Sequence, residues 1–219
     1  NDIYVVNGTS LNKIRYDNHY ISLSQGAASG FRPKISGGIG ILADAKGNDT
    51  YSCDIFGQGS AIWFSMGLMY DKAGNDTYTA YQYAQGAGMH FACGALVDVE
   101  GDDFYVANNT SQGCGHNIAL GYLNDRSGND KYTISDISQG AGNANGVGIF
   151  LEESGDDSYI SKISHTSQGY GNWRREYGSI GLFLDLSGKD SYSGSGSDSS
   201  YWMNGKYGIG IDFNDSKKQ

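Results

Sequence analysis

Acidic residues recur in pairs along the chain, and their type and spacing make them the first candidates for chemistry. The second member of each pair lies in a Gly-x-Asp-x-Tyr segment, and the first ends a Gly-x-x-x-Asp or Gly-x-x-x-Glu segment five residues earlier. Carboxylates that lie close together are ligands that Ca²⁺ prefers. The candidate calcium ligands are Asp44, Asp49, Asp71, Asp76, Asp98, Asp103, Asp125 and Asp130.

Each acidic pair belongs to a longer repeat with a nominal period of 27 residues. The tyrosines of the Gly-x-Asp-x-Tyr segments step by 27 four times and then by 33, at Tyr51, Tyr78, Tyr105, Tyr132, Tyr159 and Tyr192. A Gln-Gly pair recurs once per repeat, with its glutamine at Gln58, Gln85, Gln112, Gln139 and Gln168. A period in this range is typical of solenoids, in which each repeat is one coil that stacks on its neighbours.

Alternation of apolar and polar residues predicts three strands per coil: one around the tyrosine, one after Gln-Gly and one before the acidic residue. Two apolar columns are expected to point inward and form the core. The first is Leu42, Met69, Leu96, Leu123, Phe150, Phe183 and Ile211. The second is Met66, Cys93, Leu120, Val147 and Ile180. The sequence therefore predicts an all-β parallel β-helix, a β-solenoid of about seven three-sided coils. Right-handed winding is expected, because parallel crossovers are almost always right-handed.

The repeat predicts a single β-solenoid domain over residues 1–219. Residues 1–50 form an irregular first coil, whose insertion at 7–24 is expected to be a cap or a lateral hairpin. Residues 51–158 are regular coils, and 159–219 are irregular last coils with an insertion. Because Asn1-Asp2-Ile3-Tyr4 reads as the stub of a repeat, we expect the chain to be a piece of a longer solenoid.

The amino-acid composition agrees with a β-solenoid fold, and it narrows the classes of partner that the chain is expected to bind. The chain has 34 Gly, 17 Tyr and one Pro, which favours short strands and tight turns. Its formal net charge of −9 argues against nucleic acid and anionic membrane surfaces. No apolar run reaches the length of a membrane span, so direct membrane insertion is not expected. Cys53, Cys93 and Cys114 share no zinc-type spacing, and buried free thiols are predicted.

In-register carboxylates repel one another, and the sequence leaves three remedies open. Calcium ions held between coils, hydrogen bonds from turn N–H groups, and solvation at an exposed corner would each relieve the repulsion. The tyrosines and glutamines are expected to form ladders along the axis, with rings stacking and amides bonding from coil to coil.

The turn Gly-Asn-Asp-Thr-Tyr at 47–51 and at 74–78 resembles the calcium-binding nonapeptides of repeats-in-toxin β-rolls. The resemblance implies calcium held by the glycine-rich half of the turn, and an inward position for the residue two after the aspartate. That residue is tyrosine here. The likeness covers only the turn of each coil, and the second Gly-Gly of the nonapeptide is absent.

Ligand-binding residues are expected where the repeat breaks or where aromatic and basic side chains face outward. The repeat places Trp63 and His90 in one outward column, and the sixth-coil insertion contains a Trp-Arg-Arg-Glu-Tyr run. The candidates are Trp63, His90, Trp173, Arg174, Arg175 and Tyr177. The alternative is a solvated loop whose tryptophan folds onto the solenoid. The four histidines show no spacing typical of a catalytic site.

These features favour a non-enzymatic, secreted or cell-surface β-solenoid that acts as a stalk, adhesin or assembly module. Expected partners are other surface proteins, further copies of the chain, or polysaccharide. The first alternative is a carbohydrate-active β-helix of the polysaccharide lyase or hydrolase kind, an expectation that rests on fold analogy. The second is a calcium-dependent folding module.

Overall fold

The computed structural model describes residues 1–6, 16–32 and 35–213 and shows an almost entirely β chain. Three parallel sheets wind around one axis, and each coil contributes one strand to each sheet along most of the length. The predicted fold class, a β-solenoid with three-sided coils of about 27 residues, is confirmed.

The first face, which we call the tyrosine sheet, has seven parallel strands. They are Ile3–Val5, Thr50–Ser52, Thr77–Thr79, Phe104–Val106, Lys131–Ile134, Ser158–Ser161 and Ser191–Ser193. The second face, the short sheet, has five strands of two residues. They are Ala28–Ser29, Ala61–Ile62, Gly88–Met89, Gly115–His116 and Gly142–Asn143.

The third face, the wide sheet, has seven parallel strands and an antiparallel edge strand, Tyr201–Met203. The parallel strands are Ile39–Ala43, Met66–Tyr70, Cys93–Val97, Leu120–Asp125, Val147–Glu152, Ile180–Asp185 and Gly208–Asp212. Each strand ends at or just before the first acidic residue of a pair, so the next turn leads directly into the tyrosine sheet.

The first predicted core column is confirmed from Leu42 to Phe183, since these residues pair in register and Met69, Leu96 and Leu123 are at most 1 % exposed. The prediction is wrong for the last member of this column, Ile211. Ile211 pairs with Leu184, and Gly210 lies opposite Phe183. The space that Gly210 leaves is filled by Trp202, because a Cβ added to Gly210 would lie 2.0 Å from the Trp202 ring.

The second predicted core column is wrong. Met66, Leu120 and Ile180 are 44, 37 and 57 % exposed, while Cys93 and Val147 are half-buried. The physical reason is that successive side chains of a strand alternate between the two faces of the sheet. Met66 lies three residues before Met69, and positions an odd number apart on a strand point to opposite faces of the sheet. The outer face of the wide sheet is therefore apolar.

The corner after the tyrosine sheet is made by the Gln-Gly pair in a left-handed conformation. Gln58 has φ 51° and Gly59 has φ 74°. A Cβ on Gly59 would lie 1.9 Å from the Ala95 carbonyl oxygen of the next coil, so only glycine fits at this height. A sixth glutamine, Gln25, has the same geometry in the first coil, with φ 53°.

The described end of the first-coil insertion, residues 16–24, rejoins the stack of coils. Ile21 forms a parallel bridge with Ile55, the Ser22 N–H donates to the Ile55 carbonyl at 2.8 Å, and the His19 ring stacks on Tyr81. The rest of the predicted cap or hairpin, residues 7–15, lies outside the described residues. The sixth-coil insertion contains a 3₁₀ turn, Ser164–Thr166, and an antiparallel hairpin of Trp173–Arg174 with Tyr177–Gly178.

The three cysteines are free thiols, as predicted. Cys53 and Cys114 are buried, whereas Cys93 is half-buried because it belongs to the outward column of the wide sheet.

We expect Leu123→Ala to destabilise the chain by about 3 kcal/mol, because it opens a cavity in the continuous inward column. Leu120→Ala, on the same strand and the opposite face, is the matched control and is expected to cost less than about 1 kcal/mol. Urea denaturation followed by circular dichroism measures both. Equal losses for the two variants would contradict the assignment of the faces.

Candidate functional site

The first acidic column is buried beneath the tyrosine ladder. Each inward tyrosine donates its hydroxyl to the carboxylate that ends the wide-sheet strand of the same coil, over distances of 2.5–2.8 Å. The pairs are Tyr4–Asp44, Tyr51–Asp71, Tyr78–Asp98, Tyr105–Asp125, Tyr132–Glu152, Tyr159–Asp185 and Tyr192–Asp212. Neighbouring tyrosine rings stack at centroid distances of 4.6–5.3 Å, so the predicted tyrosine ladder is present.

The second acidic column binds the turn of the preceding coil. The Asp49 N–H donates to Oδ1 of Asp76 at 2.5 Å, and the Asp76 N–H donates to Oδ1 of Asp103 at 2.6 Å. The same bond continues from Asp103 to Asp130, Asp157 and Asp190. Each Oδ1 of this column is thus satisfied by a main-chain donor one coil away.

The structure decides two of the three predicted ways in which the repulsion between carboxylates could be relieved. The prediction that the carboxylates are solvated at an exposed corner is wrong, because Asp71, Asp98 and Asp125 are fully buried and Asp103 is 3 % exposed. Hydrogen bonds from turn N–H groups are present, but in the second column they come from the neighbouring coil. The repeat aligns these residues 27 positions apart, but it does not show whether a carboxylate bonds to its own turn or to the neighbouring one. In the first column Asp44 accepts the Ala45 N–H and Asp185 accepts the Ser187 N–H of its own turn, and Asp44 is only half-buried.

The two acidic columns converge into clusters of three carboxyl groups. In each cluster one carboxylate oxygen per residue lies within 4.8 Å of the others. The clusters are Asp49–Asp71–Asp76, Asp76–Asp98–Asp103, Asp103–Asp125–Asp130, Asp157–Asp185–Asp190 and Asp190–Asp198–Asp212. Seven of the eight predicted calcium ligands belong to these clusters, and Asp44 does not.

No cationic side chain is present to balance these clusters, because the buried residues of the described chain include no Lys, Arg or His. Burial raises the pKa of Asp76 to about 7, although the Asp49 N–H that bonds to it acts in the opposite direction. Burial, reinforced by the neighbouring charges of Asp98 and Asp125, also raises the pKa of Asp103. The interior thus favours neutralised carboxyl groups.

The glutamine ladder differs from the prediction. The side-chain amide of Gln58 donates to the main-chain carbonyls of Tyr51 and Thr79, and Gln85 donates to those of Tyr78 and Val106. These amides tie one coil to the next through the tyrosine strands. Their bonds are to the backbone, whereas the sequence predicted bonds between amides.

A surface cleft of about 250 Å³ lies at the corner between the short and wide sheets. Its lining residues are Arg32, Trp63, His90, Phe91, Asn117, Ile118, Ala144, Asn145 and Arg175. Three of the six predicted ligand-binding residues, Trp63, His90 and Arg175, are therefore brought together.

Trp63 lines the cleft and also contacts two other lining residues. Its ring stacks on His90 with centroids 4.3 Å apart, and the Arg32 guanidinium lies 5.2 Å from the centroid of the Trp63 ring. Because Trp63 contacts both of these groups, it holds Arg32 at the cleft by a cation–π interaction.

Arg175 reaches the cleft from the sixth-coil hairpin. Arg175 and Glu176 form the turn of this hairpin with φ 57° and 74°. The side-chain amide of Asn145 donates to the Arg175 carbonyl at 3.1 Å, and Nη1 of Arg175 donates to Oδ1 of Asn117. The insertion thus adds a second guanidinium group to the lining of the cleft.

The other three predicted ligand-binding residues do not line the cleft. Trp173 packs on Tyr207 with ring centroids 5.8 Å apart, and the Lys206 ammonium lies 5.2 Å from the Trp173 ring. Arg174 and Tyr177 are exposed on the paired strands of the hairpin. The hairpin turn separates Arg175, which lines the cleft, from these three residues.

Sequence reasoning missed Arg32, Asn117 and Asn145 as cleft residues. Asn117 could have been found, since it follows Trp63 and His90 at the repeat spacing of 27. Arg32 lies in the first-coil irregularity, where the repeat gives no register.

Comparison of the chain with protein-family models, with curated proteins and with solved structures finds no match. The described residues include no helix that is long and apolar enough to cross a membrane.

In buffer that contains a chelator, we expect the free energy of unfolding to fall as the pH rises from about 4 to about 7. An unfolded aspartate titrates near pH 4, whereas the folded-state pKa of Asp76 is about 7. The folded chain therefore binds more protons in this window, so the stabilisation is complete at the acidic end and lost at the neutral end. Urea denaturation across the window measures it, and a rise of stability with pH would contradict the shift.

Proposed function

We propose that the chain is a secreted or cell-surface, non-enzymatic β-solenoid of the adhesin kind, which holds an acidic polysaccharide in the cleft. The observation that carries the proposal is the convergence of two guanidinium groups, Arg32 and Arg175, on one cleft of a chain with net charge −9. Cationic groups gathered on an otherwise acidic protein create a local site for an anion.

The chemistry of the cleft suits a carboxylate-bearing sugar. Guanidinium groups bind carboxylates through paired hydrogen bonds. Asn145 adds a polar amide to the lining, and Phe91 and Ile118, which are 48 and 53 % exposed, add apolar surface. A polysaccharide presents this combination of charge, hydroxyl groups and apolar ring faces along its length.

The repetition of the coils supports a structural body over an enzyme. The same tyrosine–carboxylate pair is present in coil after coil. A glycosidase of the usual kind needs two carboxyl groups on either side of the bond to be cleaved. None of the nine residues that line the cleft carries a carboxyl group, so the cleft favours binding over hydrolysis.

We expect the chain to bind polygalacturonate more tightly than neutral dextran in isothermal titration calorimetry, with an affinity that falls as salt is raised. Arg175→Ala should weaken binding about 10-fold, which corresponds to the loss of one charge-assisted hydrogen bond. Arg174→Ala is the matched control, because Arg174 is exposed on the same hairpin and lies outside the cleft.

Equal binding of both polymers, or equal losses in the two arginine variants, would contradict the proposal. Assaying the same polymers for new reducing ends and unsaturated products tests the carbohydrate-active alternative. Turnover that Arg175→Ala abolishes would replace the adhesin proposal with an enzymatic one.

A further inference from the structure

In most residues of the second acidic column, one carboxylate oxygen has no hydrogen-bond partner. In Asp49, Asp76, Asp103 and Asp130 the Oδ2 atom is buried and accepts no hydrogen bond, whereas Oδ1 is satisfied by a main-chain donor in each. These four residues are at most 3 % exposed. A buried oxygen without a partner costs free energy, so its repetition in successive coils requires a physical explanation.

The clusters have the size that a calcium ion needs. Oxygen ligands lie 2.3–2.6 Å from Ca²⁺, so any two ligands of one ion are separated by at most about 5 Å. The three carboxylate oxygens of each cluster meet this condition, with separations within 4.8 Å. Carboxylates that can bind through both oxygens also supply more than three ligand atoms per cluster.

The number of carboxyl groups in each block of clusters nearly matches the charge of one divalent ion per cluster. The first three clusters share Asp76 and Asp103, so they contain seven different aspartates, and the other two share Asp190 and contain five. One divalent ion per cluster brings six charges to the first block and four to the second. Each block would then keep a single negative charge, in an interior without cationic side chains.

We infer that the solenoid interior binds calcium ions, one at each of the five clusters. The shared carboxylates of Asp76, Asp103 and Asp190 would bridge successive ions along the axis. The ions would lie inside the solenoid, between the tyrosine sheet and the wide sheet. The inference is independent of the ligand proposed for the cleft, because the two sites share no residue.

The fourth interval of the column is an internal exception. Glu152 replaces aspartate there, and among the described residues Asp130, Glu152 and Asp157 do not form a cluster with one another. We therefore place no ion in this interval, which divides the column into a block of three and a block of two.

Calcium content and thermal stability of the whole chain test the inference. After equilibration in millimolar calcium and removal of free ions, elemental analysis should find several calcium ions per chain, up to five. Chelation should lower the melting temperature by about 10 °C or more, because ions bound only to the folded chain stabilise it. Terbium should give tyrosine-sensitised emission that calcium displaces, since the tyrosine hydroxyls bond to cluster carboxylates.

The variant Asp103→Asn separates calcium from protons as the neutralising species. Asparagine keeps the oxygen that accepts the Asp76 N–H but removes a charge shared by two clusters. We expect it to lose about two ions and most of its calcium-dependent rise in melting temperature, while in chelator it melts no lower than the unmodified chain. Asp102→Asn, at the exposed neighbouring position, is the control and should retain full calcium binding.

No bound calcium, together with a melting temperature that chelation leaves unchanged, would overturn the inference and assign neutralisation to protons alone. The measurements on the unmodified chain decide this point even if Asp103→Asn fails to fold. Calcium loss in Asp102→Asn equal to that in Asp103→Asn would also overturn it, because the ions would then lie on the outside of the turn.

Discussion

In a solenoid each residue lies over the equivalent residue of the next coil, so a carboxylate in one coil is stacked on a carboxylate in the next. This constraint governs the whole interior, because two acidic columns run through it without one cationic side chain among the buried residues of the described chain. Like charges at this spacing repel strongly in a medium of low polarity. The tyrosine hydroxyls and the main-chain N–H groups of neighbouring turns answer that repulsion by donating hydrogen bonds to the carboxylates.

The tyrosine ladder illustrates how one residue type serves two needs. Its rings stack face to face at nearly the spacing of the strands, which fills the thin core without gaps. Its hydroxyls donate to the first acidic column, so each ring delivers a polar group to a buried carboxylate. Phenylalanine would fill the same space and leave these oxygens without donors, which explains why tyrosine recurs at this position.

The cleft arises from the opposite circumstance, the loss of repetition. Within the regular coils an outward side chain faces the residue 27 positions away in the next coil, as Trp63 faces His90. The hairpin of the sixth coil and the irregular first coil bring Arg175 and Arg32 to the same corner. The irregular segments thus add two guanidinium groups to a cleft whose other lining residues belong to the regular coils.

The sequence by itself determined the period, the three strands per coil and the inward tyrosines, because a repeated pattern carries the register of every coil. The outward face of Met66 and Leu120 was implicit in the sequence but was missed, because it follows only from counting residues along the strand. Only the tertiary structure showed Trp202 above Gly210, Arg32 against Trp63, and the two acidic columns meeting in clusters. These contacts join residues from different coils or insertions, and their distances depend on how the turns close in space, which spacing along the chain does not specify.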